Sequence, residues 1–197
     1  RIKKKLIQKA DDFYGIEITA FAPPSSGITY NTSQDSRIKD AYPNTKVNVF
    51  LNGEATGKEN ISSSDEQNEL EFLKILNKAR CEKGLNSLIL NKDLSRSARY
   101  HSYDMGSQNY FKHNSFDRKG SKLVKVCGTF ERVRKFTNCG GEIIHGGSSF
   151  AEGAYNSFFN SPGHYKIMFG KNYTEVGVGY IKVDGGRLTN YWTVDFK

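Results

Sequence analysis

Between Val176 and Phe196 two alternating runs face each other across a turn. Val176, Val178 and Tyr180 alternate with Gly177, Gly179 and Ile181, and Asp184-Gly185-Gly186 follows. The return run, Leu188–Phe196, puts Asn190, Trp192, Val194 and Phe196 on one face. A side-chain period of two on either side of a glycine-rich turn predicts a β-hairpin. The patterns ahead of it are helical, so the chain reads as α+β rather than as a βαβ array.

Those helical patterns begin at residue 64. Ser64-Asp65-Glu66-Gln67 reads as a capping box, and Leu70, Leu73, Leu76 and Ala79 follow at helical spacing before Gly84 stops the helix. A second helix is expected near Asp93, with Leu94, Ala98, His101 and Met105 in one stripe. Ser149-Phe150-Ala151-Glu152 reads as another capping box, opening a helix that carries Ala154, Tyr155, Phe158 and Phe159. Pro162 after Ser161 starts a short fourth helix, with Ser161 as its N-cap.

Residues 1–64 differ from the rest. They hold three of the four prolines and are rich in Asn, Ser, Thr and Lys. Short strands are expected around Ile16–Ile18 and Val47–Leu51, a loop at Pro23–Gly27, and a polar linker from Asn52 to Ser64. The domain reading is therefore an extension over 1–64 and one folded domain over 65–197.

The formal net charge of +8 is scattered, apart from Arg1-Ile2-Lys3-Lys4-Lys5 and a looser group at Arg132, Arg134 and Lys135. It fits solubility better than nucleic acid, because no nucleic-acid module accompanies it. No apolar run approaches the roughly 18 residues of a membrane span. With 11 Tyr and 13 Phe in 197 residues, the chain is too rich in rings to be wholly disordered. Three cysteines cannot all pair within one chain. Cys127 and Cys139 could close a loop as a disulfide, leaving Cys81 over, which is compatible with export. The chain opens on Arg1 without Met and is read as a trimmed or mature fragment.

Several pieces then stand in a telling order: Leu76-Asn77-Lys78-Ala79-Arg80, the helix from Leu94 to Met105, Tyr110-Phe111-Lys112-His113, Gly141-Glu142, Ser161-Pro162-Gly163-His164, Tyr173–Tyr180 and Tyr191–Phe196. In this order they resemble the CAP superfamily (cysteine-rich secretory, antigen 5 and pathogenesis-related proteins) in its compact bacterial branch. The resemblance covers about residues 66–196. It implies an α-β-α sandwich, a small antiparallel sheet between helical layers, with a cleft holding two histidines and, in fuller members, two glutamates. His113 and His164 match the histidines and Glu142 the first glutamate. The second glutamate falls on Ser161, Ile143 replaces the motif asparagine, and Phe158 replaces the third helix's tryptophan. The Lys- and Asn-rich composition and the extension are similar to those of spirochaete outer-surface lipoproteins. They imply an exported or surface protein, lipid-anchored upstream of Arg1, and a monomer.

Weighed residue by residue, the functional readings thin out. His113, Glu142 and His164 are far apart in sequence, and only the resemblance brings them into one cleft. Two imidazoles and a carboxylate suit zinc, with a fourth position for water. His101 reads as a packing histidine, His145 as an outside candidate for a fourth ligand, Glu152 as a capping residue and Glu175 as a solvated edge residue. No nucleophile stands out. The leading expectation is a binding module for a lipid, a sterol or a host protein. A metal-assisted hydrolase using His113, Glu142 and His164 is the alternative, and a structural protein with a vestigial cleft the third reading.

Overall fold

The structure, a computed structural model, describes residues 52–197. The strands expected around residues 16–18 and 47–51, the loop at 23–27 and the basic run at 1–5 lie outside the described residues. Within them the order is α1 (Glu66–Glu82), β1 (Ile89–Leu90), α2 (Lys92–Ser107), β2 (Ser115–Lys119), β3 (Lys122–Cys127), α3 (Thr129–Val133), β4 (Gly141–Gly146), α4 (Ala151–Phe159), α5 (Pro162–Met168), β5 (Glu175–Lys182) and β6 (Asn190–Phe196).

The predicted hairpin is the centre of a four-stranded sheet, ordered β1-β5-β6-β4. β5 and β6 pair antiparallel with Val178 opposite Val194, and β4 joins β6 antiparallel with Glu142 opposite Asp195. Two-residue β1 runs parallel to β5, so the sheet is mixed rather than wholly antiparallel. The reason is topological: β1 arrives from α1 on one face and leaves directly into α2 on the other.

Alternation along β6 divides two cores. Trp192, Val194 and Phe196 face α1, α4 and α5, among Phe72, Leu76, Ala154 and Phe158. Tyr191 faces the other way, with Met105, Tyr110 and Ile144. α2 lies flat on this second face, and the alternating glycines of β5 permit it. A Cβ at Gly177 would lie 2.1 Å from Leu94 C, and one at Gly179 would lie 2.3 Å from Arg99 N. Helices on both faces of one sheet make the α-β-α sandwich.

The helix caps differ from the expected ones because their side chains serve other elements. The N-cap of α1 is Asp65, which accepts from Asn68 N at 3.0 Å. Ser64 is used elsewhere: its hydroxyl accepts from Lys182 N and its amide donates to Tyr180 O, tying the helix start to β5. Neither does the box at Ser149–Glu152 form. Phe150 is the N-cap, and the Asn68 side chain from α1 accepts from Ala151 N at 2.7 Å. Glu152 is exposed and has no capping role. Gly84 ends α1 as expected, at φ +70°.

The stretch expected to be a polar linker is a strap laid across the domain. Gly53 N donates to Asp104 Oδ1 at 3.2 Å, and Arg96 donates to the carbonyls of Glu59 and Gly57 at 2.9 and 2.6 Å. Ala55 and Glu59 are buried. The hairpin β2–β3 and the short α3 have no counterpart among the sequence expectations. Their run, Ser115–Val133, carries no clean period.

The expected Cys127–Cys139 disulfide is not formed, and all three cysteines are free thiols. The two thiols turn to separate carbonyls: Cys127 donates to Gly53 O on the strap at 3.5 Å, and Cys139 to Gly141 O at the start of β4 at 3.0 Å.

Candidate functional site

β4 is an edge strand of the sheet and carries Glu142 and His145, two of the residues singled out from the sequence. Glu142, its second residue, is buried. His113, in the loop between α2 and β2, bonds Glu142 Oε1 through Nδ1 at 2.9 Å while its side chain stays 46% exposed. A carboxylate can only accept, so Nδ1 carries a proton and donates it to Glu142, which leaves Nε2 as the ring nitrogen open to another partner.

The other carboxylate oxygen belongs to Arg132. This residue of α3 is fully buried, and its Nη2 donates to Glu142 Oε2. Its Nη1 reaches His113 O at 2.8 Å and Ser115 Oγ at 3.1 Å. One guanidinium therefore holds both the carboxylate and the backbone of the histidine that the carboxylate orients. Burial alone would raise the Glu142 carboxyl. The charge of Arg132 overcomes it and holds the group ionised, well below the ordinary value.

Asp195, opposite Glu142 on β6, is fully buried. Burial first, then the neighbouring Glu142 charge, pushes its carboxyl well above the ordinary value. His101 on α2 is buried too. Its Nε2–H donates to Lys112 O at 3.0 Å, and burial pushes its pKa down to about 3, helped by Arg132. It is the packing histidine expected of its stripe.

His164, on α5, sets its ring edge-on against Phe158 with centroids 5.2 Å apart. Burial, and then the nearness of His113, lower its pKa. His145 on β4 bonds Ser148 Oγ through Nε2 at 2.8 Å, and its pKa too falls through burial and the nearness of His164. Ser161 is the N-cap of α5 by position, yet its side chain makes no capping bond. Glu175 is no free edge residue. It is held by the Asn91 side chain and by Lys197 Nζ at 3.2 Å, between β1 and the C-terminus.

The structure thus joins His113 to Glu142 directly and brings His164 within electrostatic reach of His113. Among the described residues no group of three or more His, Cys, Asp or Glu is placed to hold a metal ion. Of the expected set of His113, His164 and Glu142, Glu142 is poorly placed to act as a direct zinc ligand. Both oxygens of Glu142 are engaged, one by a permanent cation, and zinc sites use three or four protein ligands. Sequence reasoning misses Arg132 and Asp195 as site residues. Arg132 sits in a five-residue helix too short to show a face. Asp195 is within its reach, because strand parity puts it with Tyr191 and Thr193 on the α2 face.

The α-β-α sandwich, with His113 bonded to Glu142 at one edge strand, defines a class. The chain matches the Cysteine-rich secretory protein family, CAP, over residues 73–196, and it belongs to that family. It is 29% identical to a Bacillus subtilis protein, "Uncharacterized protein YkwD", over 98% of this chain and 71% of that one. Among solved structures it resembles an extracellular protein of Bacillus anthracis containing an SCP domain. The identity there is 25% and the TM-score 0.55, over 67% of this chain and 40% of that one. It also resembles an outer surface protein of Borrelia burgdorferi, with TM-score 0.55 and 18% identity, over 67% of this chain and 93% of that one. At that identity the likeness concerns the fold alone. No helix of the described residues is long and apolar enough to cross a membrane.

Proposed function

We propose that this CAP protein is an exported or surface-held binding module whose histidine cleft takes the polar end of an amphipathic ligand, a lipid or a sterol. The observation that carries this is the ion pair of Glu142 with Arg132. It fixes the carboxylate as the orienter of His113 and leaves His113 Nε2 open to another partner, a hydrogen-bond acceptor in the neutral ring. A ligand hydroxyl or carboxylic acid would donate there, with His164 and Ser161 alongside. Hydrolysis fits less well, since among the described residues around His113 no nucleophile stands out and Glu142 is committed to Arg132. The likeness to an extracellular protein of Bacillus anthracis supports export, and a lipid anchor upstream of Arg1 belongs to the same reading.

The test is calorimetric titration with a sterol and a long-chain fatty acid, for wild type and His113→Ala. Saturable binding that His113→Ala weakens about tenfold, the order of one hydrogen-bonded anchor, supports the cleft. Binding of neither ligand, or binding indifferent to His113, overturns it. In a parallel arm zinc is expected to bind only weakly. Submicromolar zinc binding lost in Glu142→Gln would restore the metal reading.

A further inference from the structure

A cluster of aromatic rings lies where the C-terminal ends of α1 and α5 meet the end of α4. Lys83, the C-cap of α1, is exposed, and its ammonium stands among three aromatic rings. Nζ is 5.9 Å from the ring centroid of Phe159, 5.4 Å from that of Tyr165 and 5.1 Å from that of Phe169. The rings pack on one another at an angle: Tyr165 and Phe169 meet at 48° with centroids 4.5 Å apart. Phe159 meets Tyr165 at 71° with centroids 5.3 Å apart, and meets Phe169 at 90° with centroids 6.0 Å apart. All three are half-buried and so fixed by packing. α5 separates this box from the histidine cleft: His164 packs on Phe158, while its neighbour Tyr165 packs on Phe159.

Three converging ring faces around a cation are the arrangement that selects quaternary ammonium groups. Lys83 is a poor permanent occupant. A primary ammonium is strongly hydrated and sits on a long, flexible stem. A trimethylammonium is weakly hydrated, and its methyls fill an apolar box while its charge meets the ring faces.

We propose that Phe159, Tyr165 and Phe169 form an aromatic cage for the phosphocholine group, with Lys83 as its resident plug. On binding, the trimethylammonium takes the place of Nζ, and Lys83 turns outward to pair with the ligand phosphate. The same chemistry is offered by free phosphocholine and by phosphatidylcholine.

The experiment is a heteronuclear NMR titration of the full chain with phosphocholine, choline and the neutral choline isostere in which carbon replaces nitrogen. Saturable shifts confined to Lys83, Phe159, Tyr165 and Phe169 are expected with the two cations and not with the isostere. Tyr165→Leu, which keeps apolar volume but loses the ring face, should weaken choline binding about two- to fivefold, the worth of one partly exposed cation–π contact. Lys83→Ala removes an exposed side chain and leaves the fold intact. It should tighten choline, by removing the competitor, and abolish the preference for phosphocholine over choline. Cosedimentation with phosphatidylcholine vesicles, against phosphatidylglycerol vesicles, distinguishes a membrane headgroup from the free compound. Absence of saturable shifts, equal binding of the isostere, or choline binding unchanged in both variants overturns the proposal. None of these outcomes touches the histidine cleft, which His113→Ala tests separately.

Discussion

Arg132 makes the buried Glu142 carboxylate half of an ion pair, and the consequences can be measured. Arg132→Met would leave the Glu142 charge buried without its partner, a loss of about 3–5 kcal/mol. Urea unfolding should show it as a lower midpoint. The double variant Arg132→Met/Glu142→Met should recover much of that loss, since it removes the orphaned charge as well. A double variant less stable than Arg132→Met alone would mean that the pair is not the source. His101 gives a second residue-scale test. Its folded pKa of about 3 lies below the unfolded value of about 6.5, so between these limits the unfolded chain binds the extra proton. Stability from this residue is complete above pH of about 6.5 and is lost as pH falls toward about 3. His145 and His164 act with the same sign, whereas Asp104, raised by burial to about 6, acts against them. The informative quantity is therefore a difference. Taking His101→Gln, whose amide can still donate to Lys112 O, the stability advantage of wild type should shrink steadily between roughly pH 7 and pH 4. A pH-independent difference would remove His101 from the account.

At the scale of elements, the flat seat of α2 on β5 rests on two glycines whose missing side chains are replaced by helix backbone. Gly179→Ala would set Cβ 2.3 Å from Arg99 N and 2.4 Å from Ala98 C, both main-chain atoms that cannot swing aside. The helix must lift, at a cost of about 1–3 kcal/mol or more. Gly84→Ala is the contrasting case. Its Cβ meets nothing within 4 Å, and the strain comes only from φ +70°, so about 1 kcal/mol is expected. Thermal unfolding of the two variants should rank them in that order; equal shifts would mean that the α2 contact yields. The same element shows what the sequence can and cannot tell. The hairpin, α1 and α2 are legible because their periods are long and are set by one buried face. The caps are misplaced by a residue or lost, because Ser64 and Asn68 make their bonds to other elements, which local spacing does not register. The Arg132–Glu142 pair is illegible for the same reason, since a five-residue helix and an edge strand meet only in three dimensions. The disulfide expectation rests on counting cysteines, which says nothing about where each thiol points.

Across the whole molecule, the strap of residues 52–64 links parts that no single core joins. Its amide at Gly53 binds Asp104 near the end of α2, and the Gly53 carbonyl takes the Cys127 thiol of β3. Its far end binds β5 through Ser63 and Ser64. Glu59 organises the bend between them, accepting from Thr56 N at 2.7 Å, Thr56 Oγ1 at 2.9 Å and Gly57 N at 2.8 Å. The clamp on this bend is Arg96 of α2, which Asp93 steadies at 3.2 Å and which lies 5.4 Å from the centroid of the Phe136 ring. Two of its three hydrogen bonds go to strap carbonyls, and each is worth about 1–3 kcal/mol to a charged donor. Most of that bonding is spent on ordering the strap, so the sheet and its two cores should be little affected when it is lost. Arg96→Ala is therefore expected to lower the global unfolding free energy by only about 1–2 kcal/mol. Local effects should be larger. Amide exchange should accelerate at Gly53, Thr56 and Gly57, with trypsin cutting after Lys58 while the amides of β5 and β6 keep their protection. Uniform acceleration across strap and sheet would show instead that the strap unfolds only with the whole domain, and that its contacts belong to one cooperative unit.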